Sequence, residues 1–366
     1  MKLVYIVNRI DGPGGLERVL SIKASMLADK YDYDVHIITL NQDRTDLFYE
    51  FSNKIVYHNV IAVGNPILKV FKYVNSLRKT IASINPDVIA VCDDGLKGLF
   101  LPILLGKPAP MVYERHVSRQ AGNSSENKSI LSKFKIGITF KLMNFGAKFY
   151  NKFVVLTNGN LNEWRLKNIM VIPNPLSFYP EESSTLSNKI VLAVGKQSYQ
   201  KGYDRLLKSW QMVNKKFPDW TLHIYGTISK KENLDGLAKT LNIKDIVNFY
   251  PPVKNIKEKY KEASVYVLSS RYEGFGMVLT EAMAYGVPCV AFNCPYGPSD
   301  IITDKKNGII VPNGDVKGLA LGVIKLINNE ELRKNMGQKA KIDVKRYFPE
   351  QIVAQWDNLF QSLIKK

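Results

Sequence analysis

The chain has 366 residues, with 51 Lys and Arg against 33 Asp and Glu, a net charge of +18 at pH 7 and 45% apolar residues. This composition is typical of a globular protein and excludes a disordered, collagen-like or disulfide-rich chain. No apolar run approaches the roughly 18 residues of a membrane-spanning helix, and Asn8 and Arg9 come too early for a signal-peptide core. Three scattered cysteines favour a reduced, cytoplasmic protein. The positive field suits nucleic acid, anionic lipid or phosphorylated substrates, or is simply a solvated lysine-rich surface.

The first half alternates short runs rich in Val and Ile with longer amphipathic stretches. A buried strand at Lys2–Val7 leads into a glycine-rich turn and a helix near Leu16–Tyr31. Further strands are predicted at Val35–Leu40, Ile55–His58, Val88–Val91, Met111–Glu114 and Phe153–Leu156. Strands that alternate with helices indicate βαβ units in a parallel sheet.

The alternation stops after Ile172, where Pro173-Asn174-Pro175 and the polar residues 181–188 predict a linker. It then restarts. The predicted strands are Ile190–Val194, Thr221–Tyr225, Val247–Tyr250, Val265–Leu268, Pro288–Ala291 and Gly308–Val311. The predicted helices are Tyr203–Lys216, Asn233–Leu241, Val278–Ala284 and Val316–Ile327. We therefore expect two doubly wound α/β domains, residues 1–180 and 189–346, followed by an amphipathic helix in residues 347–366.

A glycine-rich loop after the fourth predicted strand of the second half carries the strongest chemical signal. Gly276 allows backbone N–H groups to approach a ligand, and a helix that starts there or at Met277 presents its positive end to an anion. Glu273 lies on the loop and Glu281 about one turn into the helix, so the two carboxylates can address two parts of one molecule. The alternative is an acidic loop residue and an ordinary helix charge, with glycines that only serve turns.

Two lysines lie in the turn after the first strand of the second half. Lys196 and Lys201 flank this turn, and Gly202 follows directly. Two ammonium groups near a glycine turn can clamp a diphosphate. A solvated basic loop is the alternative interpretation.

The first half offers two further candidate sites. Gly14 and Gly15 follow the first strand, but Glu17 stands where a dinucleotide fingerprint requires its third glycine, so a tight strand-to-helix turn is the structural alternative. Arg115 and His116 follow a later strand, at the edge where open α/β sheets bind ligands. A lone histidine is nevertheless more often structural than catalytic.

The block from Glu273 onward, Glu-Gly-Phe-Gly and then Glu-Ala-Met-Ala-x-Gly-x-Pro, resembles the two-glutamate block of retaining GT-B glycosyltransferases, the glycosyl transferases group 1 (glycosyltransferase family 4). The resemblance implies two Rossmann-like domains that face a cleft, with the C-terminal helix crossing back to the N-terminal domain. It implies sugar transfer, with retention and without a metal or cofactor, from a nucleotide-diphosphate sugar to a hydroxyl of a glycan or lipid-linked glycan. Relatives of this kind act in bacterial capsule and polysaccharide synthesis.

In the second half, the resemblance gives each motif residue a role. It implies that Glu273 orients the donor sugar, that Glu281 holds the ribose and that Val253 touches the base. The residues implied for the donor diphosphate are Lys196, Lys201, Phe275, Gly276 and Met277. Lys196 stands where the family usually has arginine, so the charge is kept but the bidentate fork is lost.

In the first half, the resemblance extends to both candidate sites. It implies that Gly14 and Gly15 cover the donor phosphates and that His116 helps to hold the donor sugar as a catalytic residue. Glu17 and Arg115 are the candidates on the acceptor side.

Residues 115–152 combine many Lys and Arg with apolar residues at helical spacing, namely Leu131, Phe134, Ile138, Leu142 and Phe145. This pattern is typical of a basic amphipathic helix on an anionic bilayer, although Gly137 and β-branched residues weaken the helix prediction. Core packing on one side with solvated lysines on the other explains the pattern equally well. We expect a cytoplasmic protein and hypothesise a peripheral position on the inner membrane.

Other functions receive less support from the sequence. The His and Cys residues show no metal-ligand spacing, and no Gly-x-Ser-x-Gly motif is present. A nucleotide-sugar epimerase or a sugar phosphorylase can share the two-domain architecture and is the alternative activity. A nucleic-acid-binding module rests on charge alone, without a basic stripe of stacking aromatics, so no nucleic-acid partner is expected.

Overall fold

The computed structural model describes residues 1–42, 46–93, 95–118 and 130–365, and in it the chain forms two compact units. The chain enters the second unit after Ser177 and returns to the first at Tyr347. Residues 181–188, expected as a linker, lie in the second unit instead. Leu186 is buried there, and Oγ of Ser184 donates a hydrogen bond to the carbonyl of Ala263 at 2.7 Å. One apolar anchor and a few backbone contacts therefore hold a segment whose polar composition indicated a linker.

The first unit is built on a parallel sheet. Its elements in chain order are β1 (Lys2–Val7), α1 (Gly15–Lys30), β2 (Asp34–Leu40), β3 (Val56–Val60), α2 (Pro66–Ile84), β4 (Val88–Cys92), α3 (Leu96–Leu99), α4 (Leu101–Leu105), β5 (Met111–Glu114), α5 (Ile130–Ala147), β6 (Lys152–Val155), α6 (Asn158–Leu161) and β7 (Ile169–Val171). Among the described residues, the strand order is β3-β2-β1-β4-β5-β6-β7. The short edge strand β7 was not predicted, because three residues cannot show an alternation.

The second unit is built in the same way. Its elements are β8 (Ile190–Val194), α7 (Tyr203–Asn214), β9 (Thr221–Tyr225), α8 (Leu234–Thr240), β10 (Val247–Tyr250), α9 (Ile256–Glu262), β11 (Val265–Leu268), α10 (Met277–Ala284), β12 (Cys289–Asn293), α11 (Pro298–Ile301), β13 (Gly308–Pro312), α12 (Val316–Asn328) and α13 (Glu330–Asp343). All of its described strands are parallel, in the order β10-β9-β8-β11-β12-β13. The prediction of two doubly wound α/β domains is confirmed.

The two faces of the first sheet are covered by different helices. Successive strand residues point to opposite faces. Val4 and Ile6 of β1 belong to a core that also contains residues of α2, α4 and α5. Tyr5, between them, instead faces Lys23 of α1 on the other side of the sheet.

The C-terminal helix α14 (Pro349–Ile364) belongs to the first unit, where it packs against α1. Oη of Tyr33 donates to Oδ1 of Asp357 at 2.5 Å. The spacing of Ile352, Trp356, Phe360 and Leu363 predicts one apolar face on this helix; the first three are buried and Leu363 is half-buried. The C-terminal helix therefore returns to the first domain, as expected.

Candidate active site

The second sheet reverses its strand order between the neighbouring strands β8 and β11. Open parallel sheets bind ligands beyond the carboxyl ends of their strands at such a point. The segment after β8 carries Lys196 and Lys201, and the segment after β11 carries Glu273. The topology thus brings two motifs that are distant in sequence to one edge of the sheet.

Lys201 and Glu273 form an ion pair at this edge. Nζ of Lys201 lies 2.8 Å from Oε1 of Glu273, and the two side chains are only 16% and 8% exposed. Oγ of Ser270 donates to the same carboxylate oxygen at 2.5 Å. Residues predicted to share one site, 72 positions apart in the chain, are therefore in direct contact.

Gly195 makes room for the side chain of Lys201. Its φ of +152° is a conformation that favours glycine. A Cβ built on Gly195 would lie 2.8 Å from Cε of Lys201 and 3.1 Å from Oη of Tyr203. Tyr203 in turn donates its hydroxyl to the carbonyl of Gly195 at 3.1 Å. The path of the lysine stem thus depends on the missing side chain.

Lys196 differs from Lys201 in its surroundings. It is exposed, and its ammonium has no hydrogen bond or ion pair within the described part of the chain. The position directly after β8 and Gly195 therefore supplies a cation that is available to an anionic ligand.

Arg271 ties the loop after β11 to the start of α7. It makes two hydrogen bonds to the carboxylate of Asp204, both at 2.8 Å, and stacks 4.1 Å from the ring centre of Tyr199. Burial disfavours the charged form of Asp204, but the hydrogen bonds and charge of Arg271 outweigh it and lower the pKa of that carboxyl. Sequence analysis missed this pair, because nothing in the spacing of the two residues predicts their contact.

A second loop supports the backbone around Glu273. The N–H of Glu273 donates to the carbonyl of Pro295 at 2.8 Å, and the N–H of Tyr296 donates back to the carbonyl of Glu273 at 3.1 Å. Gly297 has a φ of +124°, and a Cβ there would overlap the carbonyl of Phe275. The close packing of these two loops fixes the conformation that presents Glu273.

Helix α10 begins at Met277, directly after Gly276 with its φ of +101°. The first-turn N–H groups of a helix lack intrahelical acceptors and carry the positive end of its dipole. Phe275, just before, is buried. Glu281 is also buried, at 3% exposure, and accepts a hydrogen bond from Oη of Tyr260 at 2.8 Å. Glu281 is therefore held inside the second unit, rather than being a solvent-exposed helix charge.

Val253 follows β10 and is 37% exposed. A cavity of about 640 Å³ lies beside this strand, lined by residues that include Gln197, Lys230 and Tyr250 but not Val253. Sequence analysis missed this cavity, because its lining comes from several separate segments.

In the first unit, His116 lies at the end of a series of buried contacts. Its Nε2 is 3.3 Å from Oε2 of Glu114, which also forms an ion pair with Lys23 of α1. Nζ of Lys23 lies 4.0 Å from the ring centre of Trp356. Sequence analysis missed Lys23, because a lysine on an amphipathic helix is normally solvated.

Arg115, expected on the acceptor side, is buried at 5% exposure. Its Nε donates to the carbonyl of Val117 at 2.9 Å, and its guanidinium lies 5.9 Å from the ring centre of Trp164. These contacts hold the arginine within the first unit.

The glycine-rich loop after β1 accommodates Glu17. A Cβ at Gly12 would lie 3.0 Å from Oε1 of Glu17, and a Cβ at Gly14 would overlap Oε2. Gly14 is the residue that precedes α1, and Gly15 is its first residue and is exposed. The glycines therefore allow Glu17 to fold back over the loop.

Cys92, Glu114 and His116 place possible metal ligands within 4.8 Å of one another. The ammonium of Lys23 already contacts Glu114, so this cluster contains a positive charge of its own. The expectation that catalysis requires no metal stays a prediction.

Comparison with known proteins agrees with this architecture. HepE from Anabaena, solved in complex with UDP-glucose, superposes with a TM-score of 0.79 at 18% identity, over 99% of this chain and 100% of that one. Two parallel α/β units with this likeness define a GT-B fold of Rossmann-like domains.

Sequence comparison then gives the family. The profile of "Glycosyl transferases group 1" matches residues 179–343, which include the whole Lys201–Glu273 site. An uncharacterized glycosyltransferase of Haemophilus influenzae is 32% identical over 366 residues, 98% of this chain and 99% of that protein. The amylovoran biosynthesis glycosyltransferase AmsD of Erwinia amylovora is 30% identical over 377 residues, again 98% and 99%. The chain therefore belongs to the group 1 glycosyltransferases.

Proposed function

We propose that this glycosyltransferase moves a sugar from a nucleotide-diphosphate sugar to a hydroxyl of a glycan or lipid-linked glycan during synthesis of a cell-surface polysaccharide. The observation that carries the proposal is the contact of Lys201 with Glu273 at the switch point of the second sheet. The amylovoran role in the name of AmsD and the UDP-glucose bound to HepE support the pathway and the donor class.

In this proposal, the donor diphosphate binds between cations and the start of a helix. Lys196, Lys201 and the N–H groups around Phe275, Gly276 and Met277 provide positive charge and hydrogen-bond donors. As Lys201 turns from Glu273 toward the diphosphate, the carboxylate becomes available to the sugar hydroxyls. Glu281 would receive the ribose and Val253 the base, which requires Glu281 to exchange part of its present hydrogen bonding.

The proposed chemistry breaks the bond between the anomeric carbon and the diphosphate oxygen, which keeps the electron pair. The acceptor oxygen bonds to the anomeric carbon on the same face, so configuration is retained, and its proton passes to the leaving phosphate oxygen. Lys196 and Lys201 stabilise the charge that develops on the diphosphate. This route requires neither a metal ion nor a covalent nucleophile.

For the first unit, we propose the roles that the family resemblance implies. Gly14 and Gly15 would approach the donor phosphates, His116 would hold the donor sugar, and Glu17 would lie on the acceptor side. Arg115 would have to leave its present contacts to touch an acceptor, so Glu17 is the stronger acceptor-side candidate.

Transfer assays on site variants test the proposal. Glu273→Gln and Lys201→Ala are each expected to lower kcat/KM by about 100-fold or more, because each removes a group that acts on the reacting centre. Lys208→Ala, an exposed lysine of α7, is the matched control and should keep full activity. Full turnover by either site variant would overturn the site assignment.

The donor and the reaction type need a separate experiment. Thermal-shift measurements with UDP-, GDP- and ADP-sugars should show one base that stabilises the protein clearly more than the others. Products are then analysed with and without a glycan acceptor. Release of an epimerised or phosphorylated sugar in place of glycoside would favour the epimerase or phosphorylase alternative.

We also propose that the first unit rests on the anionic cytoplasmic face of the inner membrane, through the outer surface of α2, α4 and α5. These helices contain no Asp or Glu. Among the side chains that the structure describes, their exposed apolar residues are Leu68, Val70, Phe71, Ile103, Phe134, Ile138, Leu142 and Phe145. Exposed lysines accompany them, including Lys69, Lys72, Lys135 and Lys141. Insertion of the apolar side chains favours binding of this surface to a membrane. Each lysine near the anionic lipids adds an electrostatic attraction of ~1 kcal/mol.

Flotation with vesicles tests the membrane proposal. The protein should bind phosphatidylcholine vesicles that contain phosphatidylglycerol, but not phosphatidylcholine alone, and salt should weaken the binding. Phe134→Ser with Phe145→Ser should abolish it, whereas Leu321→Ser, at a residue of the second unit about as exposed as Phe145, should not. Salt-insensitive binding, or none, would exclude this role.

No helix in the described residues is long and apolar enough to cross a bilayer, and residues 119–129 of the predicted basic segment lie outside those residues.

A further inference from the structure

Behind His116 lies a continuous series of contacts between buried side chains. Trp356 of α14 covers the ammonium of Lys23 at 4.0 Å, Lys23 pairs with Glu114, and Glu114 lies 3.3 Å from Nε2 of His116. Lys23 and Glu114 are each 1% exposed, and the side chain of His116 is 7% exposed. The series reaches His116 from the C-terminal helix through α1 and β5.

Stability is a poor explanation for this ion pair. Burial of a lysine and a glutamate costs free energy that their attraction often fails to recover, so an apolar pair of similar volume could join α1 to β5 as well or better. Oε1 of Glu114 also has no hydrogen-bond partner in the described residues, which adds to the cost. The retained charges therefore indicate another role.

The chemistry of the carboxylate limits how the imidazole can be protonated. An ionised carboxylate only accepts hydrogen bonds, so the contact with Glu114 requires a proton on Nε2 of His116. In the neutral ring, Nδ1 then carries no proton and is a hydrogen-bond acceptor. The ammonium of Lys23 keeps Glu114 in the ionised form on which this arrangement depends.

We propose that Glu114 is a positioning residue that fixes the orientation and the Nε2-protonated tautomer of His116, and that Lys23 and Trp356 hold Glu114 in place and charged. The inference rests on the proposed role of His116 in sugar transfer. According to this proposal, the C-terminal helix helps through Trp356 to hold His116 in position.

The decisive variant replaces both charges at once. Lys23→Met with Glu114→Gln keeps the shape of the pair and leaves no unpaired buried charge, so the protein should fold with little change in thermal stability. The neutral amide can donate or accept and no longer selects one tautomer. We expect kcat to fall by about 100-fold, the loss that a slightly misplaced group can cause. A purely structural pair would leave kcat as well as stability unchanged, and that outcome would overturn the proposal.

A mutant cycle tests whether Glu114 acts through His116. In a His116→Ala background, the double substitution should change kcat no further, because residues that act as one unit are not additive. An additional large loss there would contradict the proposal. Asp357→Asn, which alters the contact of α14 with Tyr33 in the segment between α1 and β2, is the control and should leave kcat unchanged.

Nitrogen-15 NMR of the imidazole gives a readout that is independent of activity. Neutral His116 should carry its proton on Nε2 in the parent protein and show a tautomer mixture in the double variant. A proton on Nδ1 in the parent, or an unchanged tautomer in the variant, would overturn the positioning role. Absence of transfer with every donor would instead contradict the proposed function, so the two failures can be distinguished.

Discussion

Lys196 and Lys201 lie in the same short segment after β8, but the structure gives them different partners. Lys201 is paired with Glu273, whereas the exposed ammonium of Lys196 has no partner among the described residues. A charge without a fixed partner can bind an anion directly, but a lysine offers no planar fork for a diphosphate.

Lys196→Arg is therefore expected to strengthen binding of the cognate nucleoside diphosphate several-fold, because a guanidinium adds bidentate hydrogen bonds worth roughly 1 kcal/mol. Lys196→Ala should weaken it about tenfold. Isothermal titration calorimetry measures both, with Lys208→Arg as the control on an exposed helix position. Unchanged affinity in both Lys196 variants would exclude this residue from the diphosphate site.

The carboxyl of Glu114 gives a prediction about acid stability. Burial, the largest influence, raises its pKa, but Lys23 and His116 together outweigh burial and lower the pKa from its ordinary value of 4.5. The other titratable groups that face it are Tyr5 of β1 and Cys92 of β4. A lowered folded pKa contributes stability that is complete above 4.5 and is lost as the pH falls through the folded value.

Urea unfolding between pH 7 and pH 3 checks this point. The parent protein should lose more free energy of unfolding on acidification than the Lys23→Met, Glu114→Gln variant, which has no carboxyl there to protonate. Equal losses in the two proteins would show that Glu114 has the same pKa in the folded and unfolded chains.

At the scale of elements, the loop that carries Glu273 is shaped by the loop that contains Gly297. The backbone bonds between Glu273 and residues 295 and 296, and the close approach of Gly297 to Phe275, leave little freedom for either segment. The site is therefore positioned by loop packing, rather than by the sheet alone.

Gly297→Ala is expected to destabilise the protein by about 1–3 kcal/mol, because alanine is strained at this positive φ, and the overlap with Phe275 should also displace Glu273 and reduce kcat. Gly137→Ala in α5 is the matched control. Nothing lies within 4 Å of a Cβ there, so alanine should stabilise the helix by about 0.5–1 kcal/mol. Urea unfolding and transfer rates measure both effects, and a neutral Gly297 variant would contradict the tight loop packing.

The elements also show what sequence patterns can predict. Every described strand of the second unit was predicted, because each is a short segment that contains Val, Ile, Leu or aromatic residues and is bounded by polar or turn residues. Helices α9 and α13 were not predicted, since their polar sequences carry little apolar periodicity. Gly137 weakened the prediction of α5, but buried Met143 and Ala147 anchor that helix to the core, which offsets the low propensity of one glycine.

In the molecule as a whole, each unit has its own core, and the first unit includes both ends of the chain. Trp356 of α14 covers the ammonium of Lys23, which also lies over the ring of Tyr5 in β1. The C-terminal helix therefore contributes to the stability of the first unit.

Phe360→Ala should lower the free energy of unfolding of the first unit by about 3–5 kcal/mol, because it leaves a cavity at a fully buried ring. Ile364→Ala, on the same helix but 40% exposed, should have a much smaller effect. Hydrogen exchange should increase in β1 to β7 of the Phe360 variant and stay unchanged in β8 to β13. Faster exchange confined to the second unit would contradict the placement of α14 in the first unit.

The sequence by itself determined the α/β class, the division into two halves and the residue types that suit a diphosphate and a sugar. These follow from local patterns of apolar runs, glycines and charges. Only the tertiary structure brought Lys201 to Glu273, paired Arg271 with Asp204 and buried Lys23 between Glu114 and Trp356. Such contacts depend on the strand order and on the return of α14, which bring together residues that are far apart in the chain. Local sequence patterns do not show which distant residues will meet.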